Sequence, residues 1–100
     1  MFAYRDGRLT CEGCSPADIA REHGTPCYVY SRGALETSFR TLAAAFAPAN
    51  PLLCYSVKAN SNLALLRLLK ELGAGFDIVS GGELFRALKA GADPATIVFA

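Results

Sequence analysis

The feature that most constrains the fold is a pair of short apolar runs on either side of a leucine-rich helix pattern. Residues 52–57 form a nearly continuous apolar run after Pro51, too short for a helix and typical of a strand buried on both faces. The leucines that follow predict a helix that begins after Ser61 or Asn62 and ends at Gly73. Residues 76–80 predict the next strand. Strands of this kind belong in parallel sheets.

The same alternation continues to the end of the chain. A second helix pattern covers residues 84–89, and residues 95–100 predict a third strand. This order predicts βαβ units on a parallel sheet, either doubly wound or closed as a (β/α)8 barrel. No dinucleotide-binding or P-loop motif follows a strand, which favours the barrel. A barrel typically needs about 250 residues, so we expect an α/β fold that is a partial, truncated barrel.

The first third of the chain predicts a separate segment. Ser15 and Pro16 are typical of a helix start, and Gly24 marks an end near His23. Residues 25–30 are β-branched and aromatic and predict a strand. Apolar residues at three- and four-residue steps then predict a long helix over residues 32–46. We therefore divide the chain into an N-terminal segment, 1–31, and the start of the barrel, 32–100.

Composition and charge argue against several classes of partner. The formal net charge is +1 and no run of lysine or arginine occurs, so we expect neither nucleic acid nor an anionic membrane as a partner. The apolar stretches are far shorter than the roughly 18 residues of a membrane-spanning helix. Asp6 and Gly7 lie where a signal peptide has its apolar core, so we expect a cytoplasmic protein.

The cysteines are expected to be free thiols, because a chain without an export signal has little use for disulfides. Cys11 and Cys14 form a C-x-x-C, which in isolation is typical of half a zinc site or a redox pair. Zinc usually takes four ligands, and His23 is the only histidine. We therefore expect no metal site.

Lys58 is the clearest candidate for a catalytic residue. In a barrel the working residues follow the carboxyl ends of the strands, and Lys58 follows the first of them. An amine at the mouth of an apolar barrel is poorly solvated as a cation, which favours its neutral, nucleophilic form. On spacing alone, a surface lysine at a strand end is the favoured interpretation, because such lysines are common.

The run Tyr-Ser-Val-Lys-Ala-Asn at residues 55–60 resembles the cofactor-lysine motif of the alanine-racemase-like, fold-type III pyridoxal-phosphate enzymes. Residues 75–84, Gly-Phe-Asp-Ile-Val-Ser-Gly-Gly-Glu-Leu, resemble the next strand and turn of the decarboxylase branch of that family. Ser56 stands where much of the family has alanine or proline. Together the two motifs look most like those of the diaminopimelate decarboxylases. Residues 24–30 resemble the family's early strand, which joins its β-domain.

The resemblance implies a chemistry and a set of site residues. Lys58 would carry pyridoxal 5′-phosphate, and the enzyme would convert meso-2,6-diaminopimelate to L-lysine and carbon dioxide in lysine biosynthesis. Asp77 and Glu83 would lie near Lys58 as acids that pair with its ammonium, and Asp77 would also contact the cofactor. For both acids a structural role is the alternative: Asp77 in a turn, Glu83 in the first turn of a helix. The family's active site lies at a homodimer interface, and three strands alone are expected to be inactive.

Several alternatives remain open from the sequence. Ornithine, arginine or carboxynorspermidine decarboxylases and amino-acid racemases share the fold type. A non-catalytic pyridoxal-phosphate carrier on the same barrel lacks the β-domain, so the strand predicted over residues 25–30 argues against it. An interaction module with an incidental lysine is the last alternative.

Overall fold

A computed structural model of the protein describes residues 1–100, which form two units, residues 1–38 and 39–100. The first unit begins with an antiparallel hairpin of β1 (Phe2–Arg5) and β2 (Arg8–Cys11). Asp6 and Gly7 make its two-residue turn with φ angles of 49° and 73°. Asp-Gly is a strong hairpin signal, because both central residues of such a turn need positive φ. The Asp-Gly pair was therefore a signal for this hairpin, although we did not predict it.

The first two helices of the chain follow the predicted bounds. Helix α1 spans Pro16–His23, with Ser15 at its N-cap and Gly24 at its C-cap at a φ of 82°. The side chain of Ser15 makes no capping hydrogen bond, so the start of α1 depends on Pro16 and on the backbone. Helix α2 spans Arg32–Phe46, as predicted.

The strand predicted over residues 25–30 is wrong. This segment contains no helix or strand and pairs with no other part of the chain. Tyr28 and Tyr30 are 89% and 63% exposed, and their rings stack on each other with centroids 6.4 Å apart. A strand needs a partner for its backbone groups, so β propensity alone does not make one. Residues 25–30 therefore give no reason to prefer an enzyme over a non-catalytic pyridoxal-phosphate carrier.

The C-x-x-C is a tight turn. The backbones of Cys11 and Cys14 exchange two hydrogen bonds of 2.8 Å, and all four cysteines are free thiols. No group of three histidine, cysteine, aspartate or glutamate side chains is placed to hold a metal ion. In addition, none of the helices is both long and apolar enough to span a bilayer.

Glu12, inside that turn, gathers three donors. Its carboxylate pairs with the N-terminal ammonium of Met1 at 2.7 Å and accepts hydrogen bonds from the Ser31 hydroxyl and, at 2.9 Å, from the Gly33 N–H. These donors, the ammonium first, lower the pKa of Glu12 from 4.5 to about 2. Because the folded pKa is the lower one, the stabilisation is complete above pH 4.5 and is lost as the pH falls through about 2.

Glu12→Gln is therefore expected to lower the melting temperature at neutral pH, and the difference from the unchanged protein should shrink as the pH falls toward 2. Thermal unfolding across this pH range measures it. Glu22→Gln is the matched control, because Glu22 is exposed and its only ion-pair contact is with His23 at 3.9 Å. A difference that stays constant with pH would contradict this account of Glu12.

The second unit is built on a three-stranded parallel sheet. Its strands are β3 (Cys54–Ser56), β4 (Gly75–Ile78) and β5 (Ile97–Phe99), which lie side by side in sequence order. Helix α3 (Leu63–Glu71) connects the first two strands and α4 (Gly81–Lys89) the last two. The predicted strand–helix alternation and the parallel sheet are confirmed. The strands are shorter than predicted. Val57–Ala59 and Pro94–Thr96 form single turns of 3-10 helix where part of β3 and of β5 was expected.

The two faces of this sheet differ in how far other residues cover them. On one face Phe76 and Ile78 are buried with Leu66 and Leu69 of α3 and Ala87 of α4, which form the core. The opposite face carries the alternate residues, which the parallel register places side by side: Cys54 and Ser56 of β3, Gly75 and Asp77 of β4, and Val98 of β5. Val98 is 47% exposed, so this second face is only partly covered. In a barrel it corresponds to the inner face.

Gly75 allows the three strands to approach closely on that inner face. A Cβ atom at this position would lie 2.5 Å from the backbone oxygen of Thr96 and 2.9 Å from the Cys54 sulfur. We expect Gly75→Ala to destabilise the protein by about 1–3 kcal/mol, because β5 would have to shift. Urea unfolding measures this loss. Gly82→Ala is the control, since a Cβ atom at this position would meet only the Ser80 hydroxyl, at 3.9 Å. An equal loss of stability in both variants would contradict this account of Gly75.

Candidate active site

Lys58 lies at the carboxyl edge of the parallel sheet, in the 3-10 turn that follows β3. The turn is anchored by Val57, which is fully buried, and by the Tyr55 hydroxyl, which donates to the Asn60 carbonyl at 3.2 Å. Lys58 itself is exposed and makes no hydrogen bond or ion pair. The expectation that its amine is desolvated is not met in this structure, because the residue is exposed.

Asp77 lies beside this turn, in β4. Its register partner in β3 is Ser56, whose hydroxyl donates a hydrogen bond of 2.7 Å to Oδ2 of Asp77. The other carboxylate oxygen, Oδ1, is buried and has no partner. A buried oxygen without a donor is costly, on the order of 1–3 kcal/mol and more when it is charged. The site thus contains an unsatisfied acceptor.

The pKa of Cys54 indicates how the Asp77 carboxylate is surrounded. Its thiol lies on the same face of β3 as Ser56, and its pKa is raised, first by burial and then by the negative charge of Asp77. Asp77 therefore acts on a part of the sheet face from which water is partly excluded.

Glu83 has contacts of a structural kind. Its backbone N–H donates to the Ser80 hydroxyl at 3.1 Å, and its own Oε2 accepts from the Val79 N–H at 2.8 Å. This reciprocal pair fixes the start of α4 in the manner of a capping box. No ion pair joins Lys58 to Asp77 or to Glu83. The structure brings Asp77 to Ser56, and the pairing of either acid with Lys58 stays a prediction.

Two contacts around the site escaped the sequence analysis. Ser56 was noted only as a departure from a motif, although it holds Asp77. Arg86 of α4 donates to the Ser61 carbonyl at 3.2 Å and so ties the loop after Lys58 to the next helix. Both contacts link residues more than 20 positions apart, and only the strand register and the helix packing bring them together.

Comparison with known families identifies the domain. A family model described as "Pyridoxal-dependent decarboxylase, pyridoxal binding domain" matches residues 32–100. The chain belongs to this family. The pyridoxal-dependent decarboxylase family is the one that the motifs around Lys58 and Asp77 resemble, so that prediction is confirmed.

Within the pyridoxal-dependent decarboxylase family, the chain is similar to proteins named diaminopimelate decarboxylase. It is 55% identical over 98 residues to the one from Pseudomonas aeruginosa. This match covers 98% of the present chain and 24% of the Pseudomonas protein. A crystal structure from Aquifex aeolicus matches with 51% identity and a TM-score of 0.91, over 98% of this chain and 24% of that one. A diaminopimelate decarboxylase from M. jannaschii, solved in complex with L-lysine, matches with 35% identity and a TM-score of 0.92. This match covers 99% of the present chain and 24% of that one. The chain thus spans about a quarter of the length of these relatives.

The residues at the sheet edge fit the cofactor that this family binds. An exposed amine without a partner is available for covalent attachment to an aldehyde. The unsatisfied Oδ1 of Asp77 is an acceptor for a protonated nitrogen. The Lys58 amine and Oδ1 of Asp77 therefore fit the aldehyde and the protonated nitrogen of pyridoxal 5′-phosphate.

Proposed function

We propose that the full-length protein is a pyridoxal-phosphate-dependent carboxy-lyase that converts meso-2,6-diaminopimelate to L-lysine and carbon dioxide. The observation that carries the proposal is the free amine of Lys58 at the carboxyl edge of the parallel sheet, next to the Ser56–Asp77 pair. The names of the similar proteins support the choice of substrate. The breaking bond joins the α-carbon to its carboxylate, and a proton then adds at that carbon.

Lys58 is the proposed attachment residue. Its amine would hold the cofactor covalently in the resting enzyme, and it would be a free amine able to take up a proton when the substrate is bound. When bound, pyridoxal phosphate accepts the electron pair that remains as carbon dioxide leaves. The turn Val57–Ala59 fixes the start of the Lys58 side chain, and the residue is exposed.

Asp77 and Glu83 are proposed as the acids of the site, with unequal roles. Asp77 has an oxygen left to accept from a protonated nitrogen, so it is the partner we assign to the Lys58 ammonium and to the cofactor. Glu83 already accepts the Val79 N–H through Oε2, and only its other oxygen is left for Lys58. We expect the larger effect on catalysis from Asp77.

We further propose that residues 1–31 contribute to a β-domain, and that the enzyme is a cytoplasmic homodimer with its active site at the subunit interface. The free thiols of all four cysteines support a reducing compartment. Light scattering of the full-length protein measures the assembly. A monomer with full activity would contradict the homodimer.

A substrate panel tests the proposed reaction. Purified full-length protein is loaded with pyridoxal phosphate, and carbon dioxide release is measured from meso-diaminopimelate, L-ornithine, L-arginine and carboxynorspermidine. We expect meso-diaminopimelate to have the highest kcat/KM and to yield L-lysine. Preference for another amino acid would identify a different decarboxylase, and bound cofactor without release from any substrate would favour a carrier.

A further inference from the structure

A side-chain hydrogen bond between Ser56 and Asp77 joins β3 to β4, and its geometry is asymmetric. The Ser56 hydroxyl satisfies Oδ2 at 2.7 Å, while Oδ1 of the same carboxylate is buried without a donor. A pair that served only to join the strands would gain nothing from this arrangement, because burying an unpaired carboxylate oxygen opposes folding. Unsatisfied buried groups of this kind persist where a ligand or a reacting group completes them.

We infer that Ser56 is a positioning residue, which holds Oδ2 of Asp77 so that Oδ1 is kept in one orientation as the acceptor for the protonated nitrogen at Lys58. The inference rests on the proposed function of Lys58 and Asp77. A short hydrogen bond to a carboxylate restricts its rotation, and charge-assisted bonds are about twice as strong as neutral ones. Ser56 acts through Asp77 and needs no contact with the cofactor.

Few other groups compete for this role. Val98, which opposes Asp77 from β5, has no hydrogen-bonding side chain. Cys54 lies on the same face of β3 and is the titratable neighbour on that strand, with a raised pKa that keeps its thiol uncharged. From α4, Glu83 is the titratable residue of the first turn, and its Oε2 is bonded to the Val79 N–H. The hydroxyl of Ser56 is therefore the group that fixes Asp77.

The test uses full-length protein loaded with pyridoxal phosphate, and its readout is the pH dependence of the absorbance of the Lys58-linked cofactor. In Ser56→Ala, a misoriented Asp77 stabilises the protonated nitrogen less, so the midpoint of the absorbance change should move to lower pH by about one unit. Ser56→Thr keeps the hydroxyl and should titrate as the unchanged protein does. Ser56→Cys, a weaker donor, should fall between them, and this order can be read even if Ser56→Ala fails to fold.

A double-mutant cycle separates positioning from a general disturbance of the sheet. Asp77→Ala alone should also move the midpoint to lower pH, and Ser56→Ala should add nothing in that background. If all Ser56 variants titrate as the unchanged protein does, or if their effect persists without Asp77, the inference is overturned while the proposed function stands. If the unchanged protein does not load cofactor on Lys58, the proposed function fails and the inference fails with it.

Discussion

Lys58→Ala is expected to lower the kcat of the full-length enzyme by roughly 10³-fold or more, because the residue proposed to hold the cofactor is lost. Lys58 is exposed and makes no hydrogen bond or ion pair, so its replacement should change stability by less than about 0.5 kcal/mol. Steady-state assays together with thermal unfolding measure both quantities. The combination of a large kinetic effect and a small stability effect is the signature of a residue that acts in chemistry.

Two control variants sharpen this comparison. Lys58→Arg keeps the charge but offers a guanidinium that does not attach to an aldehyde at neutral pH, so it should be as inactive as Lys58→Ala. Lys89→Ala removes an exposed lysine from the last turn of α4 and should retain full activity. Substantial turnover in Lys58→Arg would contradict covalent attachment at this position.

Residues 1–100 alone are expected neither to release carbon dioxide from diaminopimelate nor to bind one equivalent of pyridoxal phosphate. The sheet of β3, β4 and β5 leaves strand edges unpaired, and Val98 and Phe99 of β5 are 47% and 74% exposed. Such edges and apolar surfaces favour association between chains. The chain also spans only 24% of the length of the relative from Pseudomonas aeruginosa, and we expect other parts of the full-length protein to contribute groups around the cofactor.

Absorbance titration with pyridoxal phosphate and a carbon dioxide assay test this second expectation, with the full-length protein as the positive control. Light scattering of the 100-residue chain shows whether it associates. Stoichiometric binding with measurable turnover by residues 1–100 would mean that the site is built from this part of the protein alone.

Elements with local signals were predictable from the sequence. The start of α3 was placed at Ser61 or Asn62, and the Asn62 side chain indeed accepts from the Ala64 N–H at 2.9 Å. Capping residues and glycine stops act within one turn of the chain, so their effect can be read from neighbouring letters. The same reasoning placed α1 between Ser15 and Gly24 and, with the apolar runs, predicted the order of strands and helices in the second unit.

Features that depend on distant partners were not predictable. Residues 25–30 have the composition of a strand, yet nothing in the structure pairs with them. The hydrogen bond from Ser56 to Asp77 follows from the register of β3 and β4, which no local pattern specifies. The motif indicated which residues to examine, whereas the role of Ser56 emerged only from the hydrogen bond that it makes.

The central claim, that Lys58 carries the cofactor, is tested most directly by chemical trapping. Full-length protein is incubated with pyridoxal phosphate and reduced with borohydride, which makes the linkage permanent, and the labelled peptide is identified by mass spectrometry. We predict one label per chain, on Lys58. A label on Lys70, on Lys89 or on a lysine elsewhere in the protein, with Lys58 unmodified, would contradict the account.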